Sequence, residues 1–211
     1  NSAPDTLWSI WGGKSPRSVH NVDPYNRLID HIIEEQGGQV IRLGDQSMTP
    51  IPPRHGLVDL SRLGAPLLQQ SFSVAHARYM IGSDSGPCSW AFLFDTPLGQ
   101  TNKLNPLLIC PHIFVCSTKT FIMEDDSRLS GRAAGRAGLM NEWLWYGKMD
   151  RVVENSVDDL VKVADYLFEK TVDRAPWTLS PQVKRSEGDP CELYLHKIPQ
   201  PYLDTTYLED L

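Results

Sequence analysis

At 211 residues, the chain is long enough for one α/β domain, or for one domain with tails. Hydrophobic residues make up 41% of it and charged residues 22%, which is typical of a soluble globular protein. The formal net charge of −6 argues against a nucleic-acid binder, which needs clustered cations. No apolar run reaches the roughly 18 residues that a transmembrane helix needs.

The four cysteines, Cys88, Cys110, Cys116 and Cys191, form no C-x-x-C pair and have no histidine at zinc-finger spacing. Such scattered cysteines are typical of free thiols in a reducing compartment, and a Cys110–Cys116 disulfide is the alternative. We expect a cytoplasmic protein, or one held peripherally at the inner membrane face. The chain begins at Asn1 with no signal segment, so we expect a fragment or a processed product.

The first 22 residues form a lead-in segment rich in Ser, Pro, Gly and Asn. Its apolar patch, Leu7-Trp8-Ser9-Ile10-Trp11, could be a short strand followed by a Gly12-Gly13 turn. A helix is predicted over residues 23–36, because Asp23 is a plausible N-cap, Pro24 suits the first helical position and apolar residues recur at helical spacing.

Strands and helices then alternate over short connections. Strands are predicted at residues 39–43, 56–60, 79–82 and 97–99, and helices at residues 66–77 and 87–94. This alternation predicts an α/β fold with a parallel sheet and helices on both faces, and right-handed crossovers would make it Rossmann-like. No G-x-G-x-x-G run is present, so a dinucleotide is not indicated.

The part beyond residue 105 is less regular and is expected to be helical. Residues 119–128 are interpreted as a short helix. Arg128, Arg132 and Arg136 would share one helix face, either as a clamp for phosphate or a polyanion or as a solvated face. Ser156 is predicted to cap a later helix. Its inward residues would be Leu160, Val163, Ala164, Leu167 and Phe168.

These patterns divide the chain into three parts. They are the lead-in over residues 1–22, a Rossmann-like domain over residues 23–173, and a Pro-rich tail over residues 174–211 that packs on the domain.

The most informative stretch is Gly82-Ser83-Asp84-Ser85-Gly86, which lies between an apolar strand and a helix that Pro87 begins. Small residues let a ligand approach the backbone, and a helix start offers unpaired N–H groups to an anion. The two serine hydroxyls would add hydrogen bonds to a phosphate. Taken alone, the same pattern also fits a plain turn in which Asp84 caps the helix.

A second polar loop, residues 42–50, follows another strand at the same predicted sheet edge. Arg42 could neutralise a leaving diphosphate, because its guanidinium matches phosphate geometry. The alternative is an arginine at a strand end that pairs with Asp45 or Asp59. Thr101-Asn102-Lys103 supplies a third polar loop after the next strand.

Taken together, these loops resemble those of a family of bacterial polysaccharide glycosyltransferases. The likeness lies in residues 37–50, residues 77–86, and Thr96-Pro97 with Thr101-Asn102, in order, spacing and residue type. It covers residues 20–105 well and the remainder loosely, although residues 202–211 are also similar. His20 departs from the family, which usually has a basic residue before the following asparagine.

The resemblance implies a GT-B architecture with this chain as the C-terminal, donor-binding domain. It implies a nucleotide-sugar donor, a glycan acceptor in cell-surface polysaccharide synthesis, and a missing N-terminal domain that binds the acceptor. No cofactor is expected. The expected donor-binding residues are Arg42, Gly44, Asp45, Ser47, Met48, Gly82, Ser83, Asp84, Ser85, Gly86 and Asn102.

An inverting transferase needs a general base to deprotonate the acceptor hydroxyl. The sequence names none; His20 and Asp23 are candidates, and a solvated pair before the helix is the alternative. No metal site is predicted, because Glu124-Asp125-Asp126 is interpreted as a solvated acidic run rather than a D-x-D motif.

Two other classes stay open. An α/β hydrolase would use Asp84 as nucleophile with His112 or His196 as base. A non-catalytic sugar- or protein-binding module would use exposed aromatic rings, although core packing explains most such residues. The rings concerned are those of Trp8, Trp11, Trp143, Trp145 and Tyr146.

Overall fold

The structure is a computed structural model, and it describes residues 19–83, 85–104, 113–137, 149–172 and 206–207. Over these ranges helices and strands alternate, and the predicted α/β class is confirmed. Several predictions lie outside the described residues: Asp84, the strand predicted at residues 7–11, the tail predicted from residue 174 apart from residues 206–207, and the histidines and aromatic residues of the two alternative classes.

Up to Lys103, all the helices and strands predicted from residue 23 onwards are present, with a short additional helix at Leu60–Leu63 and a strand that continues beyond its predicted end at residue 99 to Lys103. The helices are α1 (Asp23–Glu34), α2 (Leu60–Leu63), α3 (Leu67–His76), α4 (Cys88–Leu93), α5 (Gly131–Arg136) and α6 (Val157–Lys170). The strands are β1 (Val40–Arg42), β2 (Leu57–Asp59), β3 (Met80–Gly82), β4 (Leu98–Lys103), β5 (Ile113–Thr118), β6 (Thr120–Ile122), β7 (Arg128–Ser130), β8 (Val152–Val153) and β9 (Thr206–Tyr207). Within these ranges no helix is both long and apolar enough to cross a membrane.

The parallel strands form two separate sheets. One has four strands in the order β3-β4-β5-β9, and the other consists of β1 and β2. The registers pair Met80 with Leu98 in the larger sheet and Val40 with Leu57 in the smaller one. No hydrogen-bonded pair of described strands joins the two sheets, so the single continuous sheet expected from the sequence is not seen there.

Helices cover both faces of the four-stranded sheet. On one face, Val163 and Leu167 of α6 pack against Val115 of β5. On the other face, Ala91 of α4 packs with Leu98 of β4. All five side chains are fully buried. Successive residues of a strand point to opposite faces, so each strand contributes to both cores.

The start of α1 differs from its prediction by one residue. Asp23 is the first helical residue rather than the N-cap, and Val22 occupies the N-cap position without a side-chain hydrogen bond. The Asn21 side-chain oxygen accepts the Asp23 N–H at 3.0 Å instead. Leu28 of α1 packs on Leu160 of α6, which fixes α1 beside the larger sheet.

The cap predicted for α6 is confirmed. Ser156 and Asp159 form a capping box, in which the Ser156 hydroxyl accepts the Asp159 N–H and the Asp159 carboxylate accepts the Ser156 N–H. Leu160, Val163, Ala164 and Leu167 are buried as predicted. Phe168 is half-buried beneath the guanidinium of Arg78, which lies 4.0 Å from the ring centroid.

The helix predicted over residues 119–128 is wrong. Strands β6 and β7 pair antiparallel there, and β6 also pairs with β8. The fully buried Phe121 lies opposite Leu129 and Val152, so cross-strand packing outweighs the local helical pattern. The predicted arginine row on one helix is also wrong, because Arg128 lies in β7 whereas Arg132 and Arg136 belong to α5.

Candidate functional site

The loop after β1 requires a glycine at residue 44. Gly44 has a φ of +141°, and a Cβ atom there would lie 1.8 Å from the sulfur of Met48. The buried Gln70 carboxamide accepts the Gly44 N–H at 2.9 Å and donates to the Gly44 carbonyl at 3.0 Å. The path of the loop is therefore fixed by α3, to which Gln70 belongs.

The exposed end of this loop is an Asp45–Ser47 turn. The Asp45 carboxylate accepts the Ser47 N–H at 2.7 Å and also the Ser47 hydroxyl proton. The hydroxyl and then the N–H lower the pKa of Asp45 below its ordinary value. Both side chains are exposed, so they lie at the surface beside the buried Met48.

Arg42 pairs with Asp59, one of the two partners that the sequence left open. Its Nη1 lies 3.0 Å from Asp59 Oδ2, and its Nη2 donates to the Thr49 carbonyl at 2.7 Å. Burial opposes ionisation of Asp59, but hydrogen bonds from Ser61 and Arg62 and the charge of Arg42 lower its pKa overall. A guanidinium has more N–H donors than these two bonds use.

The loop after β3 also depends on a glycine. A Cβ atom on Gly82 would lie 2.6 Å from the Cys88 sulfur, whereas nothing lies within 4 Å of that position at Gly86. Ser83 is buried, and its carbonyl accepts the Cys88 S–H at 3.1 Å. The Ser85 hydroxyl lies 3.6 Å from the same sulfur.

The helix start after this loop offers fewer N–H groups than the sequence suggests. The N–H groups of Cys88 and Ser89 donate to the carbonyls of Ser85 and Gly86 at 3.1 Å and 2.9 Å. Helix α4 is also short, with six residues. An anion at this loop would therefore rely on the loop itself more than on the helix start.

Asn102 is buried within the fold rather than exposed in a polar loop. Strand β4 continues through it to Lys103, although the sequence ended that strand at residue 99. Its side-chain oxygen accepts the Asn155 N–H at 2.7 Å, and its side-chain nitrogen donates to the Tyr25 hydroxyl at 2.9 Å. The carboxamide thus joins β4 to α1 and to the segment before α6.

Tyr25 makes contacts that were not predicted from the sequence. Its hydroxyl also lies 2.8 Å from the Thr101 hydroxyl, and burial raises its pKa to about 12. The first turn of α1 is thereby held at the carboxyl end of β4. Nothing local in the sequence marks this contact, because Tyr25 and Asn102 are 77 positions apart.

Glu154 is a second residue that sequence reasoning missed. Its carboxylate accepts the main-chain N–H groups of His20 and Asn21 at 2.6 Å and 3.2 Å. It also lies 3.9 Å from the ammonium of Lys119, which is fully buried. Asp23 and the His20 side chain are exposed, so the structure does not single out either as a general base.

One cavity of about 530 Å³ connects the two glycine-dependent loops. Arg42, Met48, Gly82 and Ser85 line it, as does Tyr25. The other described candidates do not line it; they are Gly44, Asp45, Ser47, Ser83, Gly86, Asn102, His20 and Asp23. The structure therefore brings together the loops after β1 and β3. Tyr25 links their cavity to the end of β4, because it lines the cavity and contacts Thr101 and Asn102.

In the described part of the chain, no three His, Cys, Asp or Glu side chains are grouped so that they could hold a metal ion. No model of a known protein family matches this chain, and neither a curated protein nor a solved structure matches it significantly.

Proposed function

We propose that this chain is the donor-binding domain of a glycosyltransferase, with a Rossmann-like core and a nucleotide-sugar ligand at the carboxyl ends of its parallel strands. In this proposal a separate N-terminal domain binds the glycan acceptor. The reaction would form part of cell-surface polysaccharide synthesis in the cytoplasm, as the sequence resemblance implies.

The observation that carries the proposal is the convergence of two loops on one cavity. Arg42 ends β1 and Met48 lies in the loop that follows, Gly82 ends β3 and Ser85 lies in the loop that follows, and all four line the same space. In doubly wound α/β proteins, ligands bind where the carboxyl ends of parallel strands meet. Glycine at residue 82 lets the chain at this edge pass the Cys88 sulfur, since a Cβ atom there would lie 2.6 Å from it.

The chemistry assigned to these residues is binding and charge neutralisation. Arg42 would donate to a diphosphate while Asp59 holds its guanidinium in place. The Ser85 hydroxyl would add a neutral hydrogen bond. Charge that develops on the leaving diphosphate would then be stabilised by a group that is already oriented. The general base is not assigned to this chain, because transfer would take place between two domains.

The proposal is tested by a thermal-shift screen with UDP, GDP, ADP and CMP. A ligand at about 100 times its dissociation constant should stabilise the fold by roughly 2.7 kcal/mol, so one nucleotide should raise the melting temperature clearly. If none does so at millimolar concentration, the donor-binding function is refuted for this chain.

The role of Arg42 is tested by calorimetric titration of the nucleotide that gives the largest shift. We expect Arg42→Gln to weaken its binding by at least about tenfold, because a charge-assisted hydrogen bond is lost. Arg62→Gln is the matched control, since Arg62 is an exposed arginine of α2. Equal affinities of the two variants would exclude Arg42 from the site.

A further inference from the structure

The cavity between the two parallel sheets has the form of a slot along two strands. Its lining includes residues 37–43 without interruption on one side and residues 77–82 on the other. These runs begin before β1 and β3 and reach their carboxyl ends. A pocket confined to the loops would not follow the strands over their whole length.

Both strands turn an edge towards this slot. Among the described residues β1 pairs with β2 alone, and β3 pairs with β4 alone. Val40 donates to the Gly56 carbonyl and Met80 to the Pro97 carbonyl, each at 2.8 Å. Because main-chain direction alternates along a strand, the peptide groups of Ile41 and Ile81 point away from those neighbours and into the slot.

The slot is apolar on both faces of the sheet. Leu28 and Ile32 of α1 line it on one face, where they pack in the same cluster as Ile81. Val74 of α3 lines it on the other face, within the core formed with Leu98. An occupant buried on both faces must be apolar and must satisfy two rows of main-chain hydrogen bonds, which is the description of an internal parallel strand.

The chain itself leads into this slot. Val19 and Val22 line it, and Tyr25 holds the first turn of α1 at the carboxyl end of β4. The described chain therefore begins near the carboxyl edge of the strands. The nearest apolar run before Val19 is Leu7-Trp8-Ser9-Ile10-Trp11, and the stretch from Trp11 to Val19 can span up to about 26 Å.

We propose that Leu7–Trp11 occupies the slot as a strand parallel to β1 and β3. The sheets would then merge in the order β2-β1-(Leu7–Trp11)-β3-β4-β5-β9. That is the order of a doubly wound nucleotide-binding sheet, in which the first strand is central and later strands are added to either side. Helix α1 becomes the crossover from the central strand to β1.

This arrangement also predicts where a ligand crevice would lie. In a doubly wound sheet the crevice opens where the strand order reverses, which would be between Leu7–Trp11 and β3. The Gly12-Gly13 turn would then lie beside residues 82–86. The strand assignment does not depend on the glycosyltransferase proposal, because it rests on the slot alone.

The direct test is nuclear Overhauser contacts in the full chain, labelled with ¹⁵N and ²H. We expect contacts from the main chain of residues 7–11 to Ile41 on one side and to Ile81 on the other. Contacts that join β1 directly to β3 would overturn the proposal, because the slot would then be closed. Contacts seen only between differently labelled molecules would overturn it too, because a second copy would be the occupant.

Amide hydrogen exchange with Ser9→Pro is the second test, since proline is incompatible with an internal strand. In the unaltered chain, the Ile41 and Ile81 amides should exchange at least about 100-fold more slowly than unprotected amides. Ser9→Pro should make these two amides exchange at least about tenfold faster, whereas the matched control Ser2→Pro should leave their exchange rates unchanged. Fast exchange in the unaltered chain, or equal protection in a folded Ser9→Pro, contradicts the proposal. If Ser9→Pro does not fold, the contacts in the unaltered chain decide.

Discussion

Two glycines determine the paths of the candidate loops. Gly44 has a positive φ, and a Cβ atom there would lie 1.8 Å from the Met48 sulfur. A Cβ atom on Gly82 would lie 2.6 Å from the Cys88 sulfur. Their presence in the sequence indicated close approach to a ligand. The structure gives each of them an internal reason as well, since the loop must pass a neighbouring sulfur.

A Gly44→Ala substitution should destabilise the fold by roughly 2–4 kcal/mol, because both the backbone strain and the clash with Met48 must be relieved. Gly86→Ala is the matched control: its Cβ meets nothing within 4 Å, so its effect should stay below about 0.5 kcal/mol. Urea unfolding measures both values. Similar losses in the two variants would contradict the assigned role of Gly44.

Two partly buried tyrosines predict an alkaline limit to stability. Burial raises the pKa of Tyr25 and of Tyr79 from 10.0 to about 12. Below pH 10 both states keep these protons, so the full stability is present. Between pH 10 and about 12 the unfolded chain loses them first, and stability falls.

Tyr25→Phe should therefore flatten this alkaline loss, while costing about 1–2 kcal/mol at neutral pH because the Thr101 and Asn102 side chains lose a partner. Urea unfolding at neutral pH and at about pH 11 measures both effects. Tyr79→Phe is the comparison and should also flatten the loss, with a single hydrogen bond to Gln36 removed. An alkaline loss in Tyr25→Phe as large as in the unaltered chain would contradict the burial of this hydroxyl.

Single residues differ in how far their sequence context reveals them. The Arg42–Asp59 pair was one of two pairings that the sequence left open, because each residue is next to last in its predicted strand. The Asn102–Asn155 contact could not be predicted, because it joins positions 53 apart whose only common feature is their place in the fold. Side chains that local patterns mark as polar and exposed can thus be buried by tertiary contacts.

Among the elements, those with strong end signals were predicted best. Helix α6 has a capping serine, acidic residues in its first turn and a regular apolar face, and these signals agree. Residues 119–128 give a weaker local signal, with an acidic run that favours a helix and β-branched residues that favour a strand. Pairing of β6 with both β7 and β8 decides in favour of the strand.

The capping box should therefore contribute measurably to the stability of α6. Ser156→Ala should cost about 1 kcal/mol, because it removes the acceptor of the Asp159 N–H. Ser89→Ala, at an exposed position in α4, is the control and should change stability by less than about 0.5 kcal/mol. Chemical unfolding compares them. Equal small effects would show that the cap contributes little.

At the scale of the whole molecule, a few long-range contacts join the lead-in to the body of the fold. Glu154 binds the main chain of His20 and Asn21 across 134 and 133 positions, and Tyr25 reaches the end of β4. Local periodicity predicted the alternation of strands and helices. It could not predict where the sheet divides, since strand pairing depends on residues distant in sequence.

A Glu154→Gln substitution should loosen the lead-in, because a carboxamide has one acceptor oxygen where the carboxylate uses two. The amides of His20 and Asn21 should then exchange at least about tenfold faster. Glu34→Gln, at the exposed end of α1, is the control and should leave both rates unchanged. Unchanged rates in Glu154→Gln would show that this carboxylate does not hold the lead-in.

The measurement that tests the central claim most directly is the mapping of a nucleoside diphosphate on the full chain by amide chemical shifts. If the chain binds a donor at the carboxyl ends of its parallel strands, titration should shift the resonances of residues 42–48 and of Gly82, Ser83 and Ser85. Those of the exposed face of α6, such as Asp158 and Lys162, should stay unchanged. Saturable shifts confined to any other surface, or no saturable shifts at millimolar nucleotide, would contradict the account.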